Sequence, residues 1–110
     1  MSVRIFSVAG LLAMLVLASA PLRAEGDPAA GAEKNRMCEG CHGIEGFRIA
    51  YPSVYSVPKI GGQSAAYIVA ALKAYKAGDR NFATMQAIAS GLSDQDMEDL
   101  AAYYSGGGNK

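Results

Sequence analysis

Apolar residues are unevenly spread along the chain. From Ile5 to Ala20 they run almost unbroken behind one positive charge at Arg4, with small residues at Ala18, Ala20 and Ala24. A positive start, a short apolar run and small residues at a cut site describe a secretory leader. Residues 1–24 are therefore expected to be removed after Ala24, because a cut after Ala20 would leave Pro21 next to it. The run is shorter than the ~20 residues that a spanning helix needs, and an uncleaved membrane anchor is the alternative. Either way the folded part lies outside the cytoplasm, and a periplasmic location is expected.

Downstream the pattern becomes helical. Asp27 is a good N-cap and Pro28 suits the first helical position, so a helix is predicted from there to about Met37. A second runs from Ser64 to Gly78, with Ile68, Leu72 and Tyr75 on one side at spacings of four and three. A short helical piece follows around Met85–Ser90, closed by Gly91. Ser93 caps the last helix, with Asp94 and Asp96 in its first turn, where the helix dipole favours acids. Met97, Leu100, Ala101 and Tyr104 then mark an apolar stripe at i, i+3, i+4 and i+7. From Cys38 to Gln63 no period is sustained, and loops of that length are uncommon unless something functional organises them. No stretch alternates as a strand does. The expectation is an all-α domain of about four short helices over residues 25–105, with a flexible tail at 106–110.

Charge excludes one class of partner. The chain has ten basic and ten acidic residues, and losing Arg4 and Arg23 with the leader leaves eight against ten. Nucleic-acid binding would want a basic stripe, so none is expected. A domain of this size buries only a modest core, and small domains commonly need a disulfide, metal or cofactor as a staple.

The staple is visible. Cys38-Glu39-Gly40-Cys41-His42 is the spacing for covalent haem attachment and holds both cysteines and the single histidine of the chain. Two thiols three positions apart can reach the two vinyl groups on one porphyrin edge, and His42 then comes under the ring to bind iron. A redox-active disulfide would sit after a strand in a β-α-β pattern that is not visible here. A structural zinc would want four ligands, and the cluster has three; a plain stabilising disulfide is the remaining alternative. The expected cofactor is one haem c, attached through Cys38 and Cys41.

An electron-transfer haem needs a second axial ligand, and methionine opposite histidine raises the potential. Met1 and Met14 leave with the leader, Met37 adjoins Cys38 on the histidine side, and Met97 lies on the apolar stripe of the last helix. Met85 remains, far enough downstream of His42 to wrap the ring, although a lone methionine is more often core packing.

At this point the sequence resembles the small bacterial class I cytochromes c, and one half of their two-haem relatives, over nearly all of residues 29–105. The likeness rests on the haem motif with Gly43, on Pro58-Lys59-Ile60-Gly61-Gly62-Gln63, and on Ala77-Gly78-Asp79-Arg80 before Met85. Leu92-Ser93-Asp94-Gln95-Asp96 and Leu100-Ala101-Ala102-Tyr103-Tyr104 complete it. The resemblance implies that Pro58 offers its carbonyl to the free ring N–H of His42, and that Gly31 meets Tyr103 where the first and last helices cross. It departs at Asn35, a position often aromatic or small and apolar in the family, and at residues 47–57, which carry Tyr51, Pro52 and Tyr55 and exceed the shortest members in length.

The expected role is one-electron shuttling by a monomer with transient redox partners, and no enzyme activity, since six iron ligands leave no vacant position. The alternatives are the cytochrome subunit of a periplasmic dehydrogenase, such as a flavoprotein sulfide dehydrogenase, and a catalytic haem protein with a labile Met85. Arg48, Lys59 and Arg80 are candidate partners for the haem propionates, against the plainer reading of solvated charge. Asp94, Asp96, Glu98 and Asp99 form a candidate negative patch for steering a basic partner.

Overall fold

A computed structural model describes residues 25–51 and 53–109. The expected leader and Pro52 lie outside the described residues. The elements are α1 (Pro28–Lys34), α2 (Arg36–His42), β1 (Arg48–Ile49), β2 (Tyr55–Ser56), α3 (Ala65–Ala77), α4 (Ala83–Ser90) and α5 (Asp94–Ser105). The fold is all-α apart from one small antiparallel hairpin, in which Arg48 pairs with Ser56 and Ile49 with Tyr55.

Each cap that the sequence marks is made. The Asp27 side chain accepts the Ala29 N–H at the start of α1, and Ser64 accepts from Tyr67 at the start of α3. At α5, Ser93 Oγ accepts the Asp96 N–H at 3.0 Å while Asp96 Oδ2 accepts the Ser93 N–H at 2.9 Å, a reciprocal pair that satisfies two otherwise orphaned donors. Gly78 ends α3 at φ 84°, a left-handed conformation that suits glycine.

Three boundaries differ from expectation, each for a local reason. The first predicted helix breaks at Asn35, and a separate α2 carries the Cys-x-x-Cys-His segment that was expected to open a loop. Gly40 inside α2 weakens the helical signal there. The hairpin strands are two residues long, too short to show alternation. α4 begins at Ala83, two residues before Met85, with no side-chain cap to announce it.

The core lies between α3 and α5. Ile68 and Val69 from α3 pack with Leu92 and with Met97, Leu100, Ala101 and Tyr104 from α5, so the apolar stripe of the last helix faces inward and Met97 is fully buried. α1 crosses α5 at Gly31. Lys34 on α1 then bridges two acids of α5, with Nζ 2.5 Å from Asp99 Oδ2 and 2.8 Å from Asp96 Oδ1. Asp99 is buried and also accepts the Asp27 N–H at 2.9 Å and the Gln95 amide at 2.8 Å. The expected acidic patch is therefore not four open charges. Asp96 and Asp99 belong to the α1–α5 crossing, and Lys34 holds both carboxyls below the usual range, that of Asp96 at about 2.

Of the residues expected as a tail, 106–109 fold back. Gly107 N–H donates to the Tyr104 carbonyl at 3.0 Å and Gly108 N–H to that of Tyr103 at 3.1 Å. The Tyr103 hydroxyl reaches Asn109 Oδ1 at 3.2 Å.

Candidate haem site

α2 is short and holds no buried residue, yet it carries three of the chemically important side chains. Cys38 and Cys41 are one helical turn apart, the spacing at which two side chains share a face, and His42 closes the helix. Both thiols are free and half-buried. Burial pushes the Cys38 thiol above its ordinary range.

These three residues line a cleft of about 380 Å³. α3 contributes Tyr67, Ile68, Ala71, Leu72 and Tyr75, and α4 contributes Thr84, Met85 and Ile88. Met37 of α2, the segment Val57–Ile60, Gln63, Arg80, Phe82, and Ile49 and Tyr55 of the hairpin complete the wall. A second, smaller cavity of about 40 Å³ is bounded by Cys38, His42, Met85, Leu100 and Tyr104, among others. The lining is mostly apolar, which suits a macrocycle more than a polar substrate.

His42 is held by a specific contact. Its Nδ1 lies 2.6 Å from the Pro58 carbonyl oxygen. A carbonyl can only accept, so Nδ1 carries the proton and the lone pair remains on Nε2, the nitrogen then available to a metal. Met85 reaches the same cleft from the first turn of α4. No Cα of α2 comes within 8 Å of one in α4. The histidine and the methionine thus reach one apolar space from separate helices.

The donor set fits a covalent haem. Two free thiols on one helical face, a histidine with a fixed tautomer and a thioether from a different helix share one cleft. Among the described residues no group of three or more His, Cys, Asp or Glu side chains is placed to hold a metal ion directly, so a structural zinc site of that kind is not formed. The thiols are not joined as a disulfide.

The cations expected near the propionates divide. Arg80 and Lys59 line the cleft and Arg48 does not. Lys59 pairs with Glu45 at 3.2 Å. The Arg80 guanidinium lies 4.7 Å from the Tyr75 ring centroid and donates to the Tyr67 hydroxyl at 3.4 Å. In the 47–57 segment, Tyr55 lines the cleft and packs on Phe82 with ring centroids 4.9 Å apart, whereas Tyr51 is 87% exposed and does not line it. Sequence reasoning gave no site role to Tyr67 and Tyr104. Tyr104 reads only as part of the apolar stripe of the last helix, which fits core packing equally well, and Tyr67 stands outside the stripe of its helix.

Comparison with known proteins places this geometry. The sequence model of the cytochrome c family matches residues 29–105. The chain is 47% identical to cytochrome c-554(548) of Halomonas halodenitrificans over 83 residues, 73% of this chain and 95% of that one. It is 38% identical to cytochrome c4 of Pseudomonas aeruginosa over 82 residues, 74% of this chain but only 39% of that relative. The crystal structure of reduced recombinant cytochrome c4 from Pseudomonas stutzeri superposes with a TM-score of 0.55 at 28% identity, over 76% of this chain and 50% of that one. The chain thus spans half or less of the cytochrome c4 proteins it matches, and nearly all of cytochrome c-554(548).

Proposed function

Given that the chain belongs to the cytochrome c family and is an electron carrier with a covalently bound c-type haem, we propose that it is a periplasmic one-electron carrier with His42 and Met85 as axial ligands. The observation that carries the reading is the convergence of a tautomer-fixed His42 and of Met85 on one apolar cleft from helices that do not approach each other. When bound, the haem supplies a one-electron ferrous–ferric couple.

The chain's own residues have separable tasks. Cys38 and Cys41 hold the group through thioether bonds from one face of α2. The Pro58 carbonyl orients the His42 ring and keeps Nε2 free of its proton, an outer interaction that also raises the basicity of the ligand. The Met85 thioether is a soft donor that favours the reduced form. Ile68, Leu72 and Ile88 give the cleft an apolar wall. With His42 and Met85 both holding the group, the role would be transfer without bond-making, and partners would need only a small transient contact at the cleft mouth. Export rests on the charged and apolar pattern of residues 1–24. No helix among the described residues is long and apolar enough to cross a membrane. None of the relatives named above is, by name, a dehydrogenase subunit.

The test is an optical spectrum of the mature protein, oxidised and reduced, with a pyridine-treated aliquot and with Met85→Ala beside the wild type. The expected result is a low-spin c-type spectrum with a weak far-red sulfur–iron band in the oxidised wild type, absent in the variant. A c-type pyridine spectrum without that band in the wild type removes Met85 as a ligand.

A further inference from the structure

The haem-attachment helix is poorly supported along its length. α2 has no buried residue, and of the other helices only α1 brings Cα atoms within 8 Å of it. What fixes it in place is found at its two ends. At the C-terminal end His42 is held by the Pro58 carbonyl. At the N-terminal end stands Asn35, the joint between α1 and α2, whose carbonyl accepts the Cys38 N–H at 2.8 Å and the Glu39 N–H at 2.9 Å.

Asn35 is 2% exposed and Tyr104 is 1% exposed, an unusual depth for a polar pair in so small a core. The Tyr104 hydroxyl donates to Asn35 Oδ1. The Asn35 amide donates in turn to Glu39 Oε2 at 3.3 Å, inside the attachment motif, and Asn109 from the folded-back tail donates to the Tyr104 hydroxyl at 3.5 Å. Burial lifts the Tyr104 phenol well above the ordinary range. Tyr104 also acts through its backbone. Its carbonyl accepts the Gly62 N–H at 2.7 Å, on the segment that carries Pro58. One residue of α5 therefore grips the start of α2 with its side chain and steadies the segment that grips its end.

We propose that Tyr104 and Asn35 are a positioning pair that fixes α2, and with it Cys38 and the bound haem, against α5, so that their hydrogen bond sets the reduction potential. Tyr104 borders the smaller cavity beside Cys38, and its hydroxyl is held by the buried Asn35 oxygen behind it. Loss of the hydroxyl leaves the Asn35 oxygen buried without that donor, a costly state relieved by admitting water. Water beside the haem favours the charged, oxidised form, and the potential falls. This rests on the covalent haem and not on which residues are its axial ligands.

The experiment compares midpoint potentials of mature holo-protein for the wild type, Tyr104→Phe, Asn35→Ala, the double variant and Lys34→Met. Tyr104→Phe keeps the ring and removes one oxygen. Lys34→Met weakens the same α1–α5 crossing through Asp96 and Asp99 without touching the cavity. The expected result is a lowered potential in both single variants, no further fall in the double, and a wild-type potential for Lys34→Met. A potential that stays or rises in Tyr104→Phe overturns the proposal, as does an equal fall in Lys34→Met, which would mark general loosening. Should Tyr104→Phe not be recovered with haem, Asn35→Ala decides alone by the same criteria. The far-red band keeps this separate from the ligand reading: its absence from the wild type overturns Met85 ligation, while the potentials still decide the role of the pair.

Discussion

Gly31 lies so close to Asp99 that a Cβ at position 31 would stand 2.1 Å from the Asp99 carbonyl oxygen and 2.8 Å from the Tyr103 Cβ. The nearest obstacle is helix backbone, which cannot swing aside as a side-chain tip can. Gly31→Ala is expected to force α1 and α5 apart at a cost of about 3 kcal/mol, the upper part of the range for overpacking. Chemical denaturation of the holo-protein measures it, and a loss below about 1 kcal/mol would mean that the crossing is looser than the geometry shows.

The Lys34 cluster predicts an acid-side dependence of stability. The folded-state value of Asp96 is lowered from 3.8 to about 2, first by Lys34 and then by the Ser93 backbone, and that of Asp99 is lowered in the same direction by Lys34. A depressed carboxyl contributes stability above its unfolded value and loses it as pH falls through its folded value. Stability should therefore drop between about pH 4 and pH 2. In Lys34→Met that slope should flatten, because the carboxyls lose the main cause of their shift. Thermal melts across this window make the comparison; parallel slopes in the two proteins would assign the acid sensitivity elsewhere.

Removing an attachment point should expose how far the fold leans on its cofactor. The cleft that would take the haem measures about 380 Å³, in a domain whose buried core is only a handful of side chains. Cys38→Ser loses one thioether, and the yield of mature haem protein is expected to fall sharply, read by haem-stained gels and the pyridine spectrum. Accumulation of folded, haem-free protein would show that the core stands without its staple.

Leu100 is 2% exposed and borders the smaller cavity beside the haem site. Leu100→Ala should cost roughly 2–5 kcal/mol, because the deleted side chain leaves space that fixed helices cannot collapse to fill. Ser93→Ala should cost only about 1 kcal/mol, the usual worth of an N-cap. A reversed order in denaturation midpoints would show that the cap, and not the core, limits the last helix.

Different parts of the architecture were legible in the sequence to different degrees. Caps at Asp27, Ser64 and Ser93 and the glycine stop at Gly78 are local, so the elements they bound could be read directly. The inward stripe of α5 was legible because its period is that of the helix. α2 was not, because Gly40 and the attachment residues blur the helical pattern. The hairpin was not, because two-residue strands show no alternation. Asp99 reads as one more surface acid beside Asp94 and Asp96, and only its placement against Lys34 and the Asp27 N–H makes it a buried anchor.

By itself the sequence determined what depends on chemistry and near-neighbour spacing: two thiols and one histidine in a five-residue cluster, and an all-α domain. The tertiary structure alone decided which distant groups share a space. It brought the Pro58 carbonyl to 2.6 Å from the His42 ring and sank Asn35 beneath the Tyr104 hydroxyl, 69 positions away in the chain. Spacing along a chain fixes which side chains share a helix face. The meeting of residues far apart in sequence is fixed only when helices pack and their buried polar groups must find partners.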